Sequence, residues 1–155
     1  MGAVKLPTPM IDAGAWMLEN GHRAVLRLSG GRLGRKVMGM QPVELFHTGR
    51  KSGQPRNTIL TAPIIEDDRV VVIASKGGHP EHPDWYRNIV ANPDVELVVG
   101  VGADRGERRP MRARTASPEE KAELWPRIVA VYKGYEGYQQ STDRDIPVVL
   151  LEPRP

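Results

Sequence analysis

The sequence predicts one α+β domain that is mainly β: a small closed or half-open barrel with an N-terminal helical arm and two or three peripheral helices. Three observations carry this reading. Six short runs rich in apolar and β-branched residues follow one another from residue 43 to residue 152. The first three stand too close together for helical crossovers, so they must pair antiparallel. Only two segments between the runs carry helix-start signals.

The arm comes first, over residues 1–41, followed by a β-rich body over 42–155; a chain of 155 residues can bury a single core without disulfide support. Lys5, Arg23, Arg27, Arg32, Arg35 and Lys36 outnumber Asp12 and Glu19 in the arm by four, although the whole chain is only +3. Trp16, Met17, Leu18, Val25, Leu26, Leu28 and Leu33 are interleaved with these cations. That composition suits a helix packed on its own core with a solvated charged face, or a helix lying on anionic lipid. Arg23 and Arg27 interrupt every apolar run long enough for a signal peptide or a membrane span. With no Cys in the chain, the reading is of a cytoplasmic protein with peripheral contact at the inner face of the membrane.

Strands are expected over 43–48, 57–65, 70–75, 95–101, 108–115 and 148–152, with a tight turn at Asp67-Asp68. Pro83-Asp84-Trp85 opens a short helix that ends near Asn92-Pro93. Ser117-Pro118-Glu119-Glu120 opens a longer one with an N-cap serine, an N1 proline and a capping-box glutamate. Leu124, Trp125, Ile128, Val129 and Tyr132 recur along that helix at core spacing. Beyond it, two glycines interrupt a tyrosine series from Tyr132 through Tyr135 to Tyr138.

Candidate chemistry centres on the turn from Thr48 to Arg56. Arg50, Lys51 and Arg56 gather there without a neighbouring acid, and Gly49 and Gly53 let backbone N–H groups approach an anion. A phosphate or a set of carboxylates would fit; standing alone, the turn reads first as a solvated hairpin tip. Its glycine spacing is not that of a nucleotide-binding P-loop. A second hydroxyl, cation and glycine pair follows at Ala74-Ser75-Lys76-Gly77-Gly78. His79-Pro80-Glu81-His82 could hold a metal, but two prolines constrain it and no further His or Cys is near in sequence, so loop and capping roles are expected. No nucleophile elbow is present, and no basic-aromatic motif supports nucleic-acid binding.

The turn, the Ser75-Lys76-Gly77 loop, the run from His82 to Asn88 with Ala91-Asn92-Pro93, and the late set Leu124-Trp125-Pro126, Tyr132, Tyr135, Tyr138, Thr142-Asp143-Arg144 and Ile146-Pro147-Val148 occur in that order. Together, over about residues 43 to 153, they resemble the deazaflavin-dependent nitroreductase family. The resemblance implies a split β-barrel, akin to the FMN-binding pyridoxamine-oxidase barrels, that binds coenzyme F420, an 8-hydroxy-5-deazaflavin with a phosphate and an oligoglutamate tail. It implies that Arg50, Lys51, Gln54, Pro55 and Arg56 hold the phosphate and tail, and that Ala74, Ser75, Lys76 and Gly77 line the ring. By the same likeness, Trp85 and Asn88 close over the cofactor, while Tyr132, Tyr135 and Tyr138 surround a quinone, nitroaromatic or conjugated-enone acceptor. Ser75, Tyr135 and Tyr138 then become the candidates for polarising that acceptor as a hydride arrives. An FMN-dependent oxidoreductase on the same barrel is the alternative enzyme, and a non-catalytic cofactor carrier is the alternative outside enzymes.

Overall fold

The computed structural model of the protein describes residues 39–100 and 102–155, so all but the last three positions of the expected arm lie outside the described residues. The described chain forms β1 (Gln41–Thr48), β2 (Pro55–Ala62), β3 (Ile64–Glu66), β4 (Arg69–Ile73), helix α1 (Asp84–Ala91), β5 (Asp94–Val99), β6 (Arg109–Thr115), helices α2 (Pro118–Val131) and α3 (Gly134–Gln140), and β7 (Val148–Pro153). All seven strands pair antiparallel in one sheet of order β2-β1-β5-β6-β7-β4-β3.

The single strand expected over 57–65 is divided in two. Pro63 has no N–H to give to a ladder and interrupts it. The consequence is large, because β2 and β3 occupy opposite edges of the sheet. One residue joins those edges, so the sheet has to curl until they meet, and β2 comes within packing distance of β4. This is the half-open barrel expected from the short early connections.

Side-chain alternation sorts the sheet into two cores. Val43 and Leu45 of β1, Val70 and Val72 of β4, Leu97 of β5, Met111 of β6, and Val149 and Leu151 of β7 point inward. Trp85 and Ile89 of α1 plug this inner core from one end. Val71 and Ile73 of β4 and Val148 and Leu150 of β7 point outward, where Leu124 and Ile128 of α2 and Tyr135 of α3 cover them. Strands β4 and β7 are thus buried on both faces, which explains their unbroken apolar runs.

Helix α2 begins as the sequence requires. Ser117 Oγ accepts from the Glu120 N–H at 3.2 Å, while Glu120 Oε1 accepts from the Ser117 N–H at 2.9 Å. Glu120 is bound on its other side by Arg114 of β6, which also reaches Glu152 of β7. The helix start is therefore fastened to the sheet that the helix covers. Replacing Ser117 with Ala should lower unfolding free energy by about 1 kcal/mol, the usual cost of a lost N-cap. Urea unfolding of the two proteins checks this; equal midpoints would mean that packing alone places α2.

Candidate functional site

The β1–β2 hairpin is closed by bonds across its six-residue loop. The Gly49 N–H donates to the Gln54 carbonyl and the Gly53 N–H to the Gly49 carbonyl, both at 2.9 Å. A Cβ at Gly49 would stand 2.8 Å from Ser52 Oγ, so a larger residue there would push the Ser52 hydroxyl aside. Lys51, Gln54, Pro55 and Arg56 are exposed at its rim.

Arg50 differs from the expectation of three unpartnered cations. Its backbone N–H and its Nη1 both donate to Asn88 Oδ1, at 3.0 and 2.9 Å. Its Nη2 lies 3.4 Å from Asp84 Oδ1, an acid that the sequence places far away and α1 brings near. The hairpin tip is thereby tied to α1 and oriented, while Lys51 and Arg56 project from it.

On the other side of Asn88 stands His47, buried at the inward-facing end of β1. Asn88 Nδ2 is 3.2 Å from His47 Nδ1, and His47 Nε2 is buried with no hydrogen-bond partner among the described residues. Burial and the nearby Arg56 charge lower the His47 pKa. Asn88 itself is buried, and Trp85 sits in the inner core at 7 % exposure, so its indole serves packing.

The second loop follows β4. Lys76 is left-handed, with φ of 45°, a conformation that costs a side-chain-bearing residue of order 1–3 kcal/mol. Arg144 supports the strained loop. Its guanidinium donates to the carbonyls of Ala74 at 3.1 Å, Ser75 at 2.7 Å and His79 at 2.8 Å, and its Nη1 lies 3.1 Å from His82 Nδ1. His82 in turn lies against the Tyr86 ring of α1, with centroids 4.8 Å apart. Arg144 and His47 are the two site residues that sequence reasoning passed over. Arg144 lies in the Thr142-Asp143-Arg144 motif, where the sequence assigns it no role, and His47 has one visible signal, a polar ring at an inward position of an alternating strand.

The histidine loop is used internally: His79 Nδ1 accepts from the Glu81 N–H, and His82 faces Arg144. Among the described residues, no three His, Cys, Asp or Glu side chains are grouped to hold a metal ion.

Helix α3 packs directly on the second loop, since a Cβ at Gly78 would stand 2.9 Å from the Tyr138 carbonyl. Tyr132, Tyr135 and Tyr138 form an edge-on cluster with centroids 5.2 to 6.3 Å apart. Their roles separate. Tyr135, expected to face a substrate, is only 5 % exposed, and burial pushes its pKa up to about 12. Its hydroxyl lies 3.4 Å from Met40 Sδ and 3.5 Å from Thr61 Oγ1, so α3 faces the core at this position. Tyr132 and Tyr138 are half-buried, with hydroxyls 3.3 Å apart. Burial and the Tyr132 hydroxyl raise the Tyr138 pKa too.

Residues 18–153 match the sequence pattern of a family described as F420H(2)-dependent quinone reductase. The chain belongs to that family. The match begins well before residue 43, so the second half of the arm belongs to the family's pattern as well. An F420H(2)-dependent quinone reductase of Mycobacterium tuberculosis is 41 % identical over 138 residues, covering 86 % of this chain and 88 % of the relative. Among solved structures, an F420-H2 dependent reductase is 38 % identical with a TM-score of 0.59, over 72 % of this chain and 93 % of its own. A chain described as a domain-swapped dimer is 34 % identical with a TM-score of 0.61, over 90 % of this chain and 99 % of its own. The curled seven-strand sheet is the split barrel of these F420-dependent reductases.

The donor set fits the family's cofactor. Two exposed cations and a third held in place by α1 suit a polyanionic tail. Charge thus favours F420 over the shorter anionic chain of FMN. The membrane contact expected of the arm rests on residues outside those described. Among the described residues, no helix is long and apolar enough to cross a membrane.

Two histidines of the site share one electrostatic direction. Burial lowers the pKa of His82, as do Arg144 and Arg87, and the His47 pKa is also lowered from the ordinary 6.5. Each is kept neutral by the fold, so its contribution to stability is complete above about pH 6.5 and is lost as pH falls through the lowered folded values. The Glu120 carboxyl, held down to about 2 by Arg114, does not titrate in that window. The thermal midpoint should therefore fall between about pH 7 and pH 5. A midpoint that stays level or rises across this interval would contradict the assignment.

Proposed function

We propose that this protein reduces a quinone with electrons from reduced F420, and that its turn holds the cofactor while its second loop and tyrosine helix hold the acceptor. The observation that carries this reading is the continuous set of contacts from the turn through Asn88, α1 and His82 to Arg144, the Ser75 loop and α3. These contacts support reading the segments between Gly49 and Arg144 as one site.

When bound, reduced F420 supplies a hydride, and conversion of a quinone to a hydroquinone takes up one further proton. The chain's own residues bind, orient and polarise. Arg50, Lys51 and Arg56 anchor the phosphate and tail carboxylates with charge-assisted hydrogen bonds, with Gln54 and Pro55 shaping the rim. Arg144 holds the carbonyls of Ala74 and Ser75, so the ring-facing loop keeps one shape before any ligand arrives. Asn88 acts through Arg50, and Trp85 acts by keeping α1 seated in the barrel.

At the acceptor, Ser75 Oγ and Tyr138 Oη donate hydrogen bonds to the oxygen that gains charge. With its pKa raised, Tyr138 stays protonated throughout the working range and polarises without surrendering its proton, and the one proton that the hydroquinone takes up comes from solvent. Tyr132 orients the Tyr138 hydroxyl, and Tyr135 positions α3 from the core. Nitroaromatics and conjugated enones are further electron-poor acceptors for the same geometry.

Fluorescence titration with F420 and FMN, followed by oxidation of reduced F420 with a menaquinone analogue and a nitroaromatic, tests the reading. Tight binding without turnover on a broad acceptor panel would favour a cofactor carrier instead. Lys51→Ala and Arg56→Ala should each weaken F420 binding by about 1–3 kcal/mol, the scale of hydrogen bonds to charged groups. Unchanged affinity in both would remove the turn from the site. Tyr138→Phe should keep cofactor affinity and lower kcat with the quinone, because only a hydroxyl is removed. Loss of F420 binding in that variant would put Tyr138 on the cofactor side.

A further inference from the structure

We infer that His47 is a positioning residue for the cofactor anchor: a neutral imidazole that fixes the amide of Asn88 so that Asn88 holds Arg50, and whose protonation releases Arg50. The inference rests on the proposed role of Arg50 at the cofactor tail.

Its first step is a donor count. Arg50 has only hydrogens to offer, so the Asn88 atom that lies 3.0 Å from its backbone nitrogen and 2.9 Å from Nη1 has to be the amide oxygen. The other end of the amide, 3.2 Å from His47 Nδ1, is then NH2, which can only donate. His47 Nδ1 must receive that hydrogen with a lone pair, and a neutral ring that does so carries its proton on Nε2. Nε2 is the atom left buried without a partner among the described residues. What the imidazole holds through Nδ1 is the orientation of one amide.

A proton added to Nδ1 faces the Asn88 NH2 with a second donor. Either the amide turns over and presents NH2 to the two Arg50 donors, or the ring withdraws. The first takes the acceptor away from Arg50 outright, and the second leaves the Asn88 amide without the partner that fixes its orientation, so that it is free to turn over. The charges around the ring bias this equilibrium toward the neutral form. Arg56 of β2 stands opposite His47 in register, and Arg50 lies one residue beyond Gly49. Asp84 of α1 lies on that side too, and it is engaged by Arg50. On β5, Glu96 pairs with Phe46 on the other face of the sheet and is bound to Arg108. Burial and Arg56 accordingly lower the His47 pKa, so release belongs to acid conditions.

The tautomer is readable without cofactor. Two-bond nitrogen–proton NMR on histidine-labelled protein, with His47→Gln used to assign the signal, should show His47 protonated on Nε2 at about pH 7.5. A proton on Nδ1, or a charged ring, at that pH would overturn the inference. F420 affinity, measured by fluorescence between about pH 7.5 and 5.5, should fall about three- to tenfold more for the natural protein than for His47→Gln. The glutamine carbonyl can accept from Asn88 and does not titrate, and the cofactor's own titration is common to both proteins. His47→Leu should bind F420 more weakly than His47→Gln at the higher pH, because leucine offers Asn88 no acceptor. Identical pH profiles for the natural protein and His47→Gln would defeat the inference. Arg50→Ala separates the two levels: unchanged F420 affinity there sinks the site assignment, whereas weakened affinity with identical His47 profiles sinks only the role of His47.

Discussion

The guanidinium of Arg144 is the interaction on which the site depends. It is half-buried, and among the described residues it donates to three backbone carbonyls and faces one imidazole nitrogen, all of them neutral. Desolvating a cation is expensive, and burial accordingly lowers the pKa of Arg144. The return is geometric. A planar fork of donors satisfies Ala74, Ser75 and His79 together, pinning a loop whose left-handed Lys76 would otherwise relax. The same fork reaches His82, which touches α1 through Tyr86, so a residue near the C-terminus governs how the middle of the chain is arranged.

Much of the architecture was legible because it depends on local chemistry. The alternating strands, the capping box at Ser117 and the prolines bracketing α1 each act within a few residues, and the folded chain keeps them. The sheet order was not legible, since no short-range signal states that β2 and β3 belong at opposite edges. Pro63 was the clue to the break, and reading 57–65 as one strand gave apolar continuity more weight than a missing N–H.

The site divides along the same line. Its cations and small residues were visible as motifs, but their partners come from 30 to 70 residues away: Asp84 and Asn88 for Arg50, and the Ala74 and Ser75 carbonyls for Arg144. Tyr135 shows the limit most clearly. A tyrosine series interrupted by glycines looks like a substrate wall, yet helical phase sends the middle ring into the core and leaves only Tyr132 and Tyr138 partly open.

Pro63 also settles how strictly the chain length is set at that point. Leu60 and Ala62 belong to the inner core, whereas Ile64, two residues past Ala62, belongs to the outer one. A regular strand would have kept both on one face, so the proline exchanges inside for outside as the chain passes from one edge to the other. A residue added or removed there would invert the facing of every position in one of the two strands relative to the other. The hairpin loop at 49–54 and the stretch between β5 and β6 interrupt no such parity. The closing seam of the barrel is thereby fixed in length.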